Sequence, residues 1–479
     1  MTENILLSHH VRGRAVPGVA AFTQHNPAAP VDLRIEGPEA DAALVAEAVA
    51  AAREAISESE AGGIEARADA LARIGRRLTG DVERLARLIA RETGKTIGDS
   101  KGEVLRAARI FDFFAGETLR NVGERFASTR RGATVEVDFV PAGVVAAITP
   151  WNFPIAIPAW KIAPALAFGN AVVWKPSETS SATAAALMAI IAEGGLPVGS
   201  VNMLLGAGEA GTLLAHAADI DAITFTGSVA TGERVRFAAA KRAVRTQLEM
   251  GGVNGLIVLA DANLDIAVDC AINGAFLAAG QRCTATSRFI VDHSVSDRFL
   301  ETLLSRVAAL TIGDPCDPAT AVGPLATPRQ KKLISQQVAS VEASGVKAVC
   351  GGSAVEMAHC FYPPTVFDNV PRTSELGHQE IFGPVAGMFR VDGFDDAIEV
   401  LNSNRFGLSA GICTSSLLHA EEFKRRARAG MQMINLPTAG VDYHAPFGGV
   451  AASSLGPREQ GRAARSFYTN IKTSYQQPL

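Results

Sequence analysis

An alternation of strand and helix that begins at Gly143 constrains this chain more than any other feature. Gly143–Ile148 is an unbroken apolar run ending in Thr149-Pro150, which suits a strand buried on both faces. After it come a helical stretch at Pro158–Phe168, a strand at Ala171–Trp174, a helix at Ser180–Glu193, a strand at Val201–Leu205, a helix at Ala210–Ala218 and a strand at Ala222–Thr226. This pitch predicts βαβ units and a parallel sheet. A second alternating region opens at Leu256–Leu259 and continues past Val366, so a second α/β domain is expected. Upstream, Pro38–Gly123 reads as helices, with Asp41–Ser57 and Glu65–Leu78 carrying apolar residues at three- and four-residue spacing. Ala133–Val140 and the tail Ser466–Tyr475 alternate with a period of two and are expected to pair as an antiparallel ribbon.

With 479 residues, 48% of them apolar, the chain can bury more than one core. Lys plus Arg is 45 against 49 Asp plus Glu, so no basic excess points to nucleic acid or to an anionic membrane. Charges and prolines interrupt the apolar runs well before the ~20 residues a spanning helix needs. Met1–Val11 lacks an apolar core of the kind a signal peptide has, and His9-His10 is expected at a mobile terminus. Six scattered cysteines without a CxxC pair form neither a disulfide framework nor a zinc knuckle, and no HExxH is present, so no metal is expected. A soluble protein of the reducing cytoplasm is the expectation.

Several stretches could carry chemistry. Gly206-Ala207-Gly208-Glu209-Ala210-Gly211 is a GxGxxG after a strand, the pattern that presents backbone amides to a pyrophosphate; an ordinary strand-to-helix turn explains it equally well. Phe225-Thr226-Gly227-Ser228-Val229-Ala230-Thr231-Gly232 is a second such turn, in which Ser228 and Thr231 could serve phosphate. In Gly280-Gln281-Arg282-Cys283-Thr284, a cation beside the thiol could lower its pKa; the ordinary alternative is a buried small hydrophobe. Glu249, between apolar residues and before Gly251-Gly252, would have a raised pKa if buried, suiting a general base, or would be a solvated strand end. Asn152, held in Thr149-Pro150-Trp151-Asn152-Phe153-Pro154, suits a fixed oxyanion donor, though a plain proline turn accounts for it nearly as well.

Taken jointly, Thr149–Pro154, Lys175-Pro176-Ser177-Glu178, Phe225–Gly232, Leu248–Gly252, Gly280–Cys283, Glu380-Ile381-Phe382-Gly383-Pro384 and Pro446-Phe447-Gly448-Gly449 resemble the aldehyde dehydrogenase superfamily in order and spacing over nearly the whole chain. The resemblance implies an α/β fold of two parallel-sheet domains with a small antiparallel oligomerisation ribbon. It further implies a dinucleotide-binding domain over 1–122 and 142–250, a catalytic domain over 251–450, and a ribbon from 123–141 and 465–479. Cys283 matches the nucleophile, Glu249 the base, Asn152 the oxyanion donor, and Lys161 a lysine near the base. Thr149, Trp151, Lys175, Ser177, Glu178, Phe225, Gly227, Ser228, Thr231, Gly251, Glu380 and Phe382 match the cofactor site, with Gly208 and Gly211 on a secondary loop at its edge. NAD or NADP is the implied cofactor: Glu178 can accept from a 2′-hydroxyl, while Lys175 could tolerate a 2′-phosphate. A homodimer or homotetramer is implied as well.

Within the superfamily, Asn152–Lys161, Gly440–Gly449 and Gly456–Gly461 look most like 2-oxoglutarate semialdehyde (2,5-dioxopentanoate) dehydrogenases. Succinate-semialdehyde relatives often place arginine where Trp160 stands. An acidic semialdehyde needs a cation, and Arg282 and Arg109 are the candidates, with Trp160 and Phe447 also expected at the substrate. The other readings are a coenzyme A-acylating dehydrogenase, which needs no water-activating Glu249, an inactive nucleotide-binding scaffold, and a cysteine hydrolase.

Overall fold

The computed structural model describes residues 2–120, 123–353 and 355–478. Asp41 caps the first helix, α1 (Ala42–Gly80), by accepting from Leu44 N at 2.8 Å. The two helices expected at 41–57 and 65–78 are both present and meet at Gly63, whose φ of 78° and ψ of 172° break the helical run. α2 (Val82–Thr93) ends at Gly94 in the left-handed conformation, and α3 (Ile97–Thr118) follows.

The first large sheet has eight strands in the order Ser454–Leu455, Arg245–Glu249, Ala222–Thr226, Val144–Ile148, Ala171–Lys175, Val201–Met203, His9–Val11 and Arg14–Val16. Its five central members, from Arg245–Glu249 to Val201–Met203, run parallel. The run at Val144–Ile148 is apolar throughout because the strand serves two cores: Val145 and Ala147 face one, Val144, Ala146 and Ile148 the other. One correction arises at an edge. His9 is no part of a loose terminus; it lies in a strand, is buried, and its Nδ1 accepts from Leu205 N at 3.0 Å. The opposite edge strand, Ser454–Leu455, comes from far along the chain, beyond the 1–250 range.

The second sheet orders Ala348–Cys350, Thr365–Phe367, Val385–Val391, Thr286–Asp292, Asn254–Val258, Ser409–Cys413 and Met431–Ile434, all parallel except the first pair. Leu256 and Val258 face one core and Ile257 the other, the same two-sided burial. The tail strand Thr469–Gln476 pairs antiparallel with Thr134–Pro141 from Thr469↔Pro141 to Gln476↔Thr134, the partner its alternation pointed to, and Glu124–Ala127 adds a third strand. Of the domain limits expected from sequence, Met1, Val122 and Leu479 lie outside the described residues. No helix among those described is long and apolar enough to cross a membrane.

Candidate active site

In the first sheet the strand order reverses between Val144–Ile148 and Ala222–Thr226, and a crevice opens there beyond the strands' C-terminal ends. Thr149–Asn152, Lys175, Thr226–Ser228 and Glu249 all follow or end those strands. Cys283 reaches the same place from the second sheet, three residues before the strand Thr286–Asp292. A cavity of about 210 Å³ lies there, and its wall includes Cys283, Thr226, Trp160 and Phe447.

The loop bearing Cys283 is held through its backbone. Asn254 Nδ2 donates to the carbonyls of Cys283 (2.8 Å) and Ala285 (2.9 Å), and Thr438 Oγ1 to that of Thr284 (2.8 Å). Just upstream, Ala278, Ala279 and Gly280 take φ of 53°, 52° and 64°, so two alanines occupy the left-handed region at some strain. A side chain at Gly280 would collide with the Gly383 carbonyl. Asn152 Nδ2 donates to Gln281 O at 3.0 Å, which brings the amide against the loop that bears Cys283.

The lowered thiol pKa expected beside Arg282 is not found: the two groups attract each other, but burial of the sulfur outweighs that attraction. Arg282 Nη2 donates to the carbonyls of Asn273 and Leu277, each at 2.7 Å, because a buried guanidinium must find acceptors. Burial pushes the Cys283 thiol up to about 12, with the negative charges of Glu380 and Glu249 adding to it, and the Cys283 N–H opposes the rise. Glu380 is itself raised to about 7 by burial, against the Gly252 N–H that it accepts at 3.0 Å. Iodoacetamide alkylation of Cys283 in the free protein is therefore expected to accelerate about tenfold per pH unit from pH 7 to 9. At pH 8 the substitution Glu380→Gln should raise the rate by up to about tenfold, one pKa unit; an unchanged rate would show that this carboxylate does not act on the thiol.

Glu249 is buried, and burial with the nearby Glu459 charge raises its pKa well above the carboxylate range. Ser454 Oγ donates to its Oε2 at 2.5 Å, and Gly448, at φ 144°, leaves the room: a Cβ there would sit 2.6 Å from Glu249 Oε1. Lys161, with no solvent exposure, pairs with Glu459 and donates to Thr224 Oγ1 at 2.8 Å; Thr224 in turn donates to Gln247 Oε1 at 3.0 Å. Sequence reasoning passed over Glu459. Its only signal was a carboxylate in a glycine-bounded stretch, 298 residues from the lysine it pairs with.

Around the crevice, Lys175 is buried with Nζ 3.7 Å from Glu178 Oε2, and burial lowers its pKa. Ser177 Oγ accepts from Thr179 N at 3.3 Å. Thr149 Oγ1 accepts from Trp174 Nε1 at 2.9 Å. Ser228 caps the helix Val229–Ala240 and, like Thr231, is exposed. Gly227 packs where a Cβ would meet the Phe225 ring at 2.5 Å. Trp151 and Phe382 meet edge to face with centroids 5.7 Å apart, and a side chain at Gly251 would overlap the Glu380 carboxylate.

Two expected contacts change. Ala207 N and Ala210 N in the GxGxxG turn donate to Glu39 at 2.7 and 2.8 Å, so this helix start is already served by a carboxylate. Gly206, at φ 143°, admits that carboxylate; Gly208 opens the helix, and Gly211 lies near the Lys175 stem, its Cβ position 3.9 Å from Cδ. Arg109 is exposed and off the cavity wall, whereas Arg106, three residues before it on α3, lies on the wall together with Arg282. Trp160 stacks on Phe447 with centroids 5.5 Å apart.

The chain matches the aldehyde dehydrogenase family over residues 18–474. It is 41% identical over 402 residues, 83% of this chain and 82% of the other, to the alpha-ketoglutaric semialdehyde dehydrogenase of Bacillus subtilis (strain 168). Among solved structures, an E. coli NADP dependent enzyme superposes with a TM-score of 0.95 at 32% identity, covering 99% of this chain and 98% of that one. The Staphylococcus aureus betaine aldehyde dehydrogenase in complex with NAD+ gives a TM-score of 0.94 at 30% identity, covering 98% and 95%. The chain belongs to the aldehyde dehydrogenase family and is an oxidoreductase acting on an aldehyde.

Proposed function

We propose that this protein uses NAD or NADP to oxidise an acidic semialdehyde, of the 2-oxoglutarate semialdehyde class, to the carboxylic acid through a thioester on Cys283. The observation that carries this reading is the convergence of Cys283, Asn152 and the buried, raised-pKa Glu249 on one crevice whose cavity wall bears surplus positive charge. The surrounding residues fit a dinucleotide. Glu178 beside Lys175 can take ribose hydroxyls, the hydroxyls at the capped helix start Ser228–Thr231 can take phosphate, and Glu380 with the Trp151–Phe382 pair borders the nucleophile. When bound, the dinucleotide supplies the hydride acceptor and a cationic ring whose charge favours the thiolate.

The residues divide the work as follows. Cys283 Sγ adds to the aldehyde carbon. The Asn152 amide and the Cys283 N–H stabilise the oxyanion that develops, donors worth about 10²–10³ in rate apiece in comparable sites. After the hydride leaves, Glu249 withdraws a proton from water, which attacks the thioester carbonyl and frees the sulfur. Glu249 suits the task because burial raises its pKa well above an exposed carboxylate's, making it a stronger base. Lys161 and Glu459 pair behind it as a fixed buried support. Hydrolysis, rather than acyl transfer to coenzyme A, follows from the presence of that base.

A betaine-type substrate is the second reading, favoured by the aromatic walls Trp160, Phe447 and Phe153, since aromatic faces hold quaternary ammonium. Phe153's ring, however, already carries Lys95 Nζ 3.8 Å from its centroid, and the cationic lining repels a second cation. A panel of 2,5-dioxopentanoate, succinate semialdehyde, betaine aldehyde and propanal, assayed with both dinucleotides, tests this. The acidic semialdehydes should lead in kcat/KM by about tenfold or more, with NAD preferred over NADP because Glu178 repels a 2′-phosphate. Preference for betaine aldehyde would overturn the substrate assignment.

The domain division read from sequence, a dinucleotide half, a catalytic half and a ribbon that serves assembly into dimers or tetramers, is proposed on the same footing. The ribbon strand Thr469–Gln476 is exposed along nearly its whole length, with Ile471 and Tyr475 bare to solvent.

A further inference from the structure

α3 places Gly98, Gly102 and Arg106 at four-residue spacing, so the three share one helix face, and that face forms part of the cavity wall. Glycine is the poorest helix former after proline. Yet a Cβ at Gly98 or Gly102 would meet no atom within 4 Å, so the protein's own packing does not call for glycine at either position. The two glycines keep open space beside the arginine.

The cations on this wall are not equivalent. Lys95 is paired with Glu103 and seated over Phe153. Arg282 spends its Nη2 on two backbone carbonyls. Arg106 has neither an ion-pair nor a hydrogen-bond partner among the described residues. Of the wall's two carboxylates, Glu103 is committed to Lys95 and to the amides of Ile155 and Ala156, which leaves Asp99 alone against two arginines. A cavity that holds surplus positive charge and an unpaired guanidinium next to Cys283 is suited to a ligand with an anionic, hydrogen-bond-accepting end.

We propose that Arg106 is the specificity-determining residue that meets the remote carboxylate of an ω-oxo acid, an assignment that rests on the semialdehyde reading above. The carboxylate would occupy the space the glycine face of α3 leaves open, with the carbonyl carbon directed to Cys283.

The test measures kcat and KM of the full-length enzyme for 5-oxopentanoate and for pentanal, which has the same carbon chain without the carboxylate. Arg106→Met should lower the ratio of the two kcat/KM values by about 30-fold, mostly through KM for the acid. Arg106→Lys, which keeps charge and most of the packing but loses the planar fork, should give an intermediate ratio, and it serves as the readout should the methionine variant fail to fold. A wild-type preference for the acid that both variants retain within about twofold overturns the role of Arg106 and leaves the substrate class standing. No preference for the acid in the wild-type enzyme overturns both.

Discussion

Cys283→Ala is expected to abolish dinucleotide-dependent aldehyde oxidation, lowering turnover by at least about 10⁴-fold, while the protein melts within a few degrees of the wild type. The expected loss is large because no other cysteine lies on the cavity wall to substitute for the sulfur. The expected structural effect is small because the loop is anchored by its carbonyls to Asn254 and Thr438, contacts that alanine keeps. Dinucleotide reduction followed by absorbance, together with thermal melting, checks both halves. More than about 1% residual activity in a correctly folded variant would remove Cys283 from the covalent step.

Glu249→Gln should separate the two half-reactions. Glutamine removes a negative charge that helps hold the Cys283 thiol up, so thiolate formation is not impaired. It also removes the base that water needs, so hydrolysis of the thioester slows. The expected signature is a burst of reduced dinucleotide approaching one equivalent per active site, followed by a steady state about 10²- to 10⁴-fold below the wild type. Glutamine can still accept from Ser454 Oγ, which limits structural damage. Loss of the burst together with the steady state would place Glu249 in the acylation half instead.

Glu249, Asn152 and Cys283 could be picked out as candidates because each sits in a short segment of unusual composition, and local composition survives folding. The charges around them were not. Arg282 adjoins Cys283 in the chain, and from that adjacency its cation looked like the thiol's partner. In the fold its Nη2 donates to helix carbonyls, and its attraction for the sulfur is outweighed by burial and by the charges of Glu380 and Glu249. Arg109 was the candidate cation on α3; which side of a helix faces a cavity depends on what packs against it, and Arg106 rather than Arg109 lies on the wall. The GxGxxG turn kept its expected place after a strand, but its amides went to Glu39, a residue no local pattern connects with it.

The architecture was readable from the chain alone because burial on two faces writes itself locally: a parallel strand between helices must be apolar at every position, and the intervening helices must carry their stripe every three or four residues. Charge placement has no such local imprint. Coulomb interactions act through roughly 10 Å of space regardless of how many residues intervene, so Lys161 finds Glu459 from 298 positions away. The protonation of Cys283 and of Glu249, and the cation left unpaired on the cavity wall, were therefore decided when two sheets brought opposite strand ends to one crevice.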